Sequence, residues 1–347
     1  MRNSETSQET VPTSEMTAGC ATATQLSVII VNFCQWQNTA RLTKQLRHSD
    51  VARSDTAEIV IIDNHSPPHP LRDRISKVRG VKLLSNPRNL GFAEAVNRGC
   101  RESSGEWVLL LNPDVTVGDG FLDDVQKLMD SLENSPTLGV LGFQLRNADG
   151  TPQASTGPFP TFSRTLRGLI RPRSRRKCQH QNGTHRQRVD WVTGGCLLVR
   201  RECLQDLNGL DERYFLYYED VDFCRRATER GWAVAYEPNL SVRHHSPLHS
   251  RAVPAPLRLI TRHALMMYAA VHWPRWQAKL LGMLISMEAR VRSLASTTAQ
   301  SPTWQSLRML PAEILARQNF AVAERIRGAA VTLDRFAAAQ DRSDAAD

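Results

Sequence analysis

The chain has 347 residues, with 44 Lys and Arg against 35 Asp and Glu and a formal charge of +9. Apolar residues make up 41% and charged residues 23%, ordinary globular values that exclude a wholly disordered or fibrous chain. No stretch reaches the roughly 20 consecutive apolar residues of a membrane-spanning helix, and the best run, Leu280 to Met287, is too short.

Residues 1–24 are rich in Ser, Thr and Glu, lack the apolar centre of a secretion signal, and read as a solvated tail. Seven cysteines without a C-x-x-C pair read as reduced thiols, so a cytoplasmic location is expected. From Leu26 onward, short apolar runs alternate with helical patterns. Ser27 to Asn32 is a β-branched run, followed by an amphipathic stretch from Trp36 to Leu46. Next come Glu58 to Asp63, the shorter Val81 to Leu84, and a helical Phe92 to Ser103. Trp107 to Asn112, a helix from Gly120 to Leu132, and the strand-like Leu138 to Leu145 complete the series. Runs that are apolar on both sides and separated by helices predict an α/β, doubly wound, mostly parallel sheet.

In such sheets ligands bind beyond the carboxyl ends of the strands, which singles out Asn32, Asp63, Asn86 and Asn112-Pro113-Asp114. Any one of these acts equally well as a helix cap or a turn residue. Several along one sheet edge suit a nucleotide, although neither a Walker A sequence nor G-x-G-x-x-G is present.

Between residues 151 and 188 the alternation stops, and nine Lys and Arg lie between Arg164 and Arg188. The segment reads as a basic, mobile insertion: a solvated loop, or one drawn to phosphates on a membrane surface or a pyrophosphate. No zinc finger, RRM signature or helix-turn-helix accompanies the charge, so nucleic acid is not the expected partner. Order resumes at Trp191, with Gly194 and Gly195 allowing a close backbone approach. The carboxylates Glu219, Asp220 and Asp222 then share one helical turn beside the aromatic-rich Tyr214 to Tyr218. A basic amphipathic helical region, about Pro256 to Leu294 with Trp273 and Trp276, packs on the domain or lies in a lipid interface. The expected domains are a catalytic unit over 25–250, a helical region over 251–335, and a tail over 336–347.

Four segments together resemble the family 2 glycosyltransferases of GT-A fold, closest to the bacterial rhamnosyltransferase-like branch. They are Val28 to Asn32 with Ile61 to Asn64; Asn89-Leu90-Gly91-Phe92-Ala93 with Asn97; Leu111-Asn112-Pro113-Asp114; and Leu210 to Arg226. The resemblance runs from Leu26 to about Ser246. It implies a nucleotide-diphospho-sugar donor and a glycan or lipid-linked acceptor, with a peripheral place at the inner membrane.

The resemblance also implies roles. Asp63 would hydrogen-bond the pyrimidine base, with Val31 and Asn32 flanking the nucleoside. Asn89, Gly91, Phe92 and Asn97 would shape the donor pocket. Asp114 matches the last acid of the family's D-x-D sequence, whose first position here is Asn112, leaving a single carboxylate for Mg²⁺ or Mn²⁺. His244 or His245 would complete that site; adjacent residues of an extended segment point oppositely, so at most one reaches the ion. Asp220 aligns with the base of an inverting transfer. Glu219 and then Asp222 are the next candidates for the base, or would orient it or bind sugar hydroxyls. Gly194 and Gly195 would lie beneath the donor sugar and acceptor, with Trp191 stacking on a sugar or packing in the core. A UDP-hexose donor, or a catalytically silent binding module of the same fold, are the alternatives.

Overall fold

The computed structural model describes residues 24–169, 178–179, 181, 183–245, 253–294, 301–318 and 321–332. Residues 1–23 and 336–347 of the expected tails, Ser246, and Arg171, Arg173, Arg175, Arg176 and Lys177 of the basic cluster lie outside them.

The first elements are β1 (Leu26–Asn32), α1 (Trp36–Leu46), the single turn α2 (Asp50–Arg53), β2 (Ala57–Asp63), α3 (Pro70–Ser76) and β3 (Val81–Ser85). Then come α4 (Phe92–Arg101), β4 (Trp107–Leu111), β5 (Val115–Thr116), α5 (Phe121–Ser131) and β6 (Leu138–Arg146). Short pieces follow: β7 (Pro152–Gln153), β8 (Thr156–Gly157), α6 (Phe162–Leu169), β9 (Gln187–Arg188) and β10 (Trp191–Val192). The sheet-bearing region closes with β11 (Cys196–Arg200), α7 (Arg201–Asp206), α8 (Glu219–Glu229) and β12 (Ala233–His244). Helices α9 (Ala255–His272), α10 (Arg275–Leu294) and α11 (Ser301–Leu315) lie beyond, with a helical stretch over 321–332.

The main sheet runs β3-β2-β1-β4-β11-β6-β12-β5. Every residue of β1 and β4 is buried, because helices cover both faces. Ile29, Val31, Val60 and Ile62 face a core shared with α4, α8 and the C-terminal helices. Val28, Ile30, Ile59 and Ile61 face the opposite core, filled by Trp36, Leu42 and Leu46 of α1 and Phe121 and Val125 of α5.

Three features add to the sequence reading. First, β3, β2, β1 and β4 are parallel, but β11 is antiparallel to both β4 and β6. Its buried apolar run has the same character as a parallel strand, so composition hides its direction. The reversal has a consequence: an inserted strand begins at the edge where its neighbours end. Cys196 pairs with Leu111, so Gly194 and Gly195 arrive at the carboxyl edge. Second, the described parts of 151–188 include short strands: β7 pairs with β6, β8 with β10, and β9 with β12. Third, the helical region near Pro256 to Leu294 is broken. Trp273 is extended (φ −105°, ψ 158°), as the residue before Pro274 prefers to be, and it separates α9 from α10. Trp273 is buried and donates Nε1–H to Pro160 O, whereas Trp276 is exposed.

Candidate active site

At the carboxyl end of β1 and β2, Asn32 and Asp63 are adjacent in register and almost fully buried. The Asp63 carboxylate accepts from the Ser66 backbone N–H (3.1 Å) and from Asn32 Nδ2 (3.4 Å), both through Oδ1. Asn32 is itself fixed by Thr39 Oγ1, which donates to its Oδ1 at 2.7 Å. Val31 is buried beneath this pair. These bonds hold Asp63 in one orientation at the strand end.

The neighbouring loop is organised by Asn64, the residue after Asp63, to which sequence reasoning assigns no role in the site. Its Nδ2 donates to Asn89 Oδ1 (2.9 Å) and Gly91 O (3.1 Å), and its Oδ1 accepts from Asn86 Nδ2 and the Leu90 N–H. Asn89 and Gly91 are thus placed by a saturated amide. Gly91 has φ +89°, and a Cβ there would lie 2.7 Å from Phe215 O. Only glycine fits. The next residue, Phe92, donates its backbone N–H to Phe215 O, closing the loop onto the segment that precedes α8.

Asn97 does not face this loop. Its side chain donates to Leu210 O (2.8 Å) and Glu212 Oε1 (3.0 Å) and accepts from the Leu210 N–H (2.9 Å). It latches the chain leading toward α8, and so supports the site from behind.

Beyond β4, Asp114 is buried, and Asn112 donates its backbone N–H to Gly195 O (3.2 Å). His244, the last residue of β12, pairs in register with Val115, which brings its imidazole back to Asp114. His244 Nε2 lies 3.4 Å from Asp114 Oδ1. Its Nδ1 is 3.0 Å from Gln153 Oε1 on β7. With Nδ1 anchored on Gln153, Nε2 and the Asp114 carboxylate face one another. His245 points the other way: its Nε2 meets Thr116 Oγ1 at 2.7 Å, and only its backbone N–H reaches Asp114 O. Among the described residues no cluster of three or more His, Cys, Asp or Glu side chains forms a metal cage. A cation at Asp114 and His244 would therefore complete its shell from elsewhere.

Helix α8 opens with Glu219 and Asp220, both buried. Tyr217 and Tyr218 precede it with φ +71° and +68°, a left-handed pair that costs about 1–2 kcal/mol per residue. The turn reverses the chain so that the first turn of α8 meets the glycine pair. Asp220 Oδ2 accepts from the Gly194 N–H (3.1 Å), and Oδ1 from the Val221 N–H (2.8 Å). A side chain at Gly194 would begin 3.8 Å from Asp220 Cβ and 3.9 Å from Phe92 Cε1. One at Gly195 would begin 3.3 Å from Leu145 Cδ1 and 4.0 Å from His244 Nε2. The two glycines thus sit between Asp220 and the Asp114–His244 pair.

Two residues named for sugar contact are fully buried, and for Trp191 this is the core-packing alternative. Asp222 is fully buried, bonded by His272 Nε2 (2.7 Å), Arg226 Nε (2.7 Å) and the Tyr214 hydroxyl (3.4 Å). Helical spacing turns it inward, away from Asp220. Trp191 is also fully buried and donates Nε1–H to Pro158 O (3.1 Å), so its ring packs in the core and cannot stack on a sugar. Gln153 and His272 carry no sequence signal, since each acts on a partner far away in the chain.

Residues 27–207, just over half of the chain, match the family model described as glycosyl transferase family 2. The chain is 30% identical over 275 residues to the N-acetylglucosaminyl-diphospho-decaprenol L-rhamnosyltransferase of Mycobacterium tuberculosis, covering 74% of this chain and 87% of that protein. It is 27% identical to the low-salt glycan biosynthesis hexosyltransferase Agl10 of Haloferax volcanii, over 64% of this chain and 68% of the relative. Among solved structures, GalNAc-T7 with UDP, GalNAc and Mn²⁺ superposes with a TM-score of 0.54 at 17% identity, over 85% of this chain and 57% of that one. That likeness supports the GT-A arrangement of sheet and helices. The chain belongs to glycosyl transferase family 2, and it is a glycosyltransferase.

Proposed function

We propose that the chain transfers a sugar from a nucleotide-diphosphate donor to a hydroxyl of a lipid-linked glycan, inverting the anomeric carbon. L-rhamnose from dTDP-L-rhamnose is the preferred donor, supported by similarity to a rhamnosyltransferase whose acceptor is a diphospho-decaprenol-linked sugar. The single observation that carries the reading is the place of the Gly194–Gly195 pair. A Cβ at Gly194 would lie 3.8 Å from Asp220 Cβ and one at Gly195 4.0 Å from His244 Nε2, so the pair lies near both, and the Gly194 N–H is bonded to Asp220.

Asp63 holds the nucleoside, using Oδ2, since Ser66 and Asn32 both engage Oδ1. Asn89, Gly91 and Phe92 shape the wall between nucleoside and sugar. Asp220 takes the proton of the acceptor hydroxyl as its oxygen bonds to the anomeric carbon and the bond from that carbon to the diphosphate breaks. The Gly194 N–H fixes the carboxylate for that transfer. Glu219, beside it on the first turn of α8, orients the acceptor. The donor set of one carboxylate and one imidazole with its other nitrogen tethered fits a divalent cation, so Asp114 and His244 would hold Mg²⁺ or Mn²⁺. When bound, that ion supplies positive charge for the departing diphosphate.

A donor screen tests the reading. The thermal midpoint is measured with dTDP-L-rhamnose, UDP-glucose and UDP-N-acetylglucosamine, each with Mg²⁺ or Mn²⁺. Saturation at a hundred times Kd stabilises by about 2.7 kcal/mol, so the preferred donor stands out. Stabilisation by a UDP-sugar alone would replace the rhamnose assignment, and stabilisation by none would overturn the donor site.

A further inference from the structure

We infer that α10 is a membrane-contact surface, lying in the interface of an anionic lipid bilayer. Its exposed face carries Trp276, Met283, Met287, Val291 and Leu294, each 58 to 90% exposed. Their spacings of seven, four, four and three residues place them on one stripe of the helix. The opposite face, Ala278, Leu281, Gly282, Ile285 and Ala289, is buried against α9 and α11. The helix is therefore already seated, and the apolar stripe is surplus to what its packing requires. So continuous a row of large apolar side chains marks an interaction surface.

Charge chooses the occupant. Arg275, Lys279, Arg290 and Arg292 are the cations of α10, and Glu288 is its one carboxylate. Glu288 is consumed by Arg258, Arg262 and Arg292. Arg275, Lys279 and Arg290 have no carboxylate partner among the described residues. By helical geometry Lys279 and Arg290 border the stripe on one side. A second copy of this face would bring these cations against one another, whereas anionic headgroups complement them and the long side chains reach headgroups while the stripe enters the acyl boundary. No described helix is long and apolar enough to cross a bilayer, so the contact is in-plane.

The stripe is also joined to the site. Trp276 packs edge-on to Phe162, which packs on Trp273 at the end of α9. One residue earlier, His272 bonds Asp222 of α8, the helix that begins with Glu219 and Asp220. The inference deepens the proposed lipid-linked acceptor by assigning the face that meets the lipid, and it rests on that reading only for its purpose.

The test is sedimentation of the full chain with vesicles of phosphatidylcholine alone or of equal parts phosphatidylcholine and phosphatidylglycerol, without nucleotide-sugar. The wild type is expected to sediment with the anionic vesicles and stay in solution with the neutral ones. Lys279→Gln with Arg290→Gln is expected to weaken partitioning roughly twenty-five-fold, about fivefold per cation lost. Met283→Glu with Met287→Glu is expected to abolish it, with an unchanged thermal midpoint because both sites are exposed. The proposal fails if the wild type never sediments. It fails equally if the glutamate variant binds as the wild type does, which would assign binding to the basic cluster. It also fails if light scattering shows a dimer that the glutamate variant dissociates while vesicle binding is absent. A wrong donor assignment would leave all these sedimentation results unchanged.

Discussion

The fully buried Asp222 carboxylate and His272 Nε2 lie 2.7 Å apart in a contact that ties α8 to the C-terminal helix α9. Arg226 holds the other carboxylate oxygen at 2.7 Å. Removing one member of such a group strands buried charge. His272→Ala is expected to lower stability by about 3 kcal/mol, read by urea unfolding. The bound donor should still raise the thermal midpoint, because His272 of α9 meets α8 through Asp222, on the side turned away from Asp220. Unchanged stability would mean that the contact does not hold the two parts together.

A second buried histidine should shape the response to acid. Burial pushes the His263 imidazole from 6.5 down to about 4, and its Nδ1 has no partner among the described residues. Because its folded value is depressed, the unfolded chain binds more protons between those pH values. The neutral ring's contribution is fully present above pH 6.5 and is lost as pH falls toward about 4. The loss amounts to about 3 kcal/mol. Unfolding of His263→Leu followed from neutral to acid pH should show a flatter decline than the wild type; parallel curves would refute this.

Gly91 offers a backbone test. With φ +89° and Phe215 O only 2.7 Å from where a Cβ would sit, Gly91→Ala must shift the loop. A cost of about 1–3 kcal/mol is expected from the dihedral alone. Because the same shift moves Phe92 and the Asn64–Asn89 network, donor-induced stabilisation should fall too. Full donor response in a folded Gly91→Ala protein would remove this loop from the donor pocket.

The strands and their polar ends are legible in the sequence because buried β-branched runs have little other use. Asp63, Asp114 and Asp220 each sit where strand ends or a helix start point. Direction is not legible: β11 reads like its parallel neighbours, so only the fold explains why Gly194 reaches Asp220. Side-chain direction is not legible either. Asp222 and Trp191 have residue types suited to sugars, yet helical and strand geometry turns both into the core. Asn97 has the character of a pocket residue and is a latch for Leu210. Asn64 and Gln153 act through contacts 25 and 91 residues away, which local pattern does not encode.

The two adjacent histidines can be separated. His244→Ala should abolish the dependence of donor stabilisation on Mg²⁺ or Mn²⁺, since His244 Nε2 faces Asp114. His245→Ala should preserve it, because that ring bonds Thr116. Isothermal titration of donor with and without the ion distinguishes them. The reverse pattern would exchange their roles.

The central claim is that Asp220, fixed by the Gly194 N–H, takes the acceptor proton beside the glycine pair that also neighbours His244. The most direct test is single-turnover transfer by Asp220→Asn with donor saturating, alongside donor affinity. Loss of a general base predicts a rate reduced about 10²–10⁴-fold with donor affinity nearly unchanged. Near-normal turnover in the Asn variant would contradict the account.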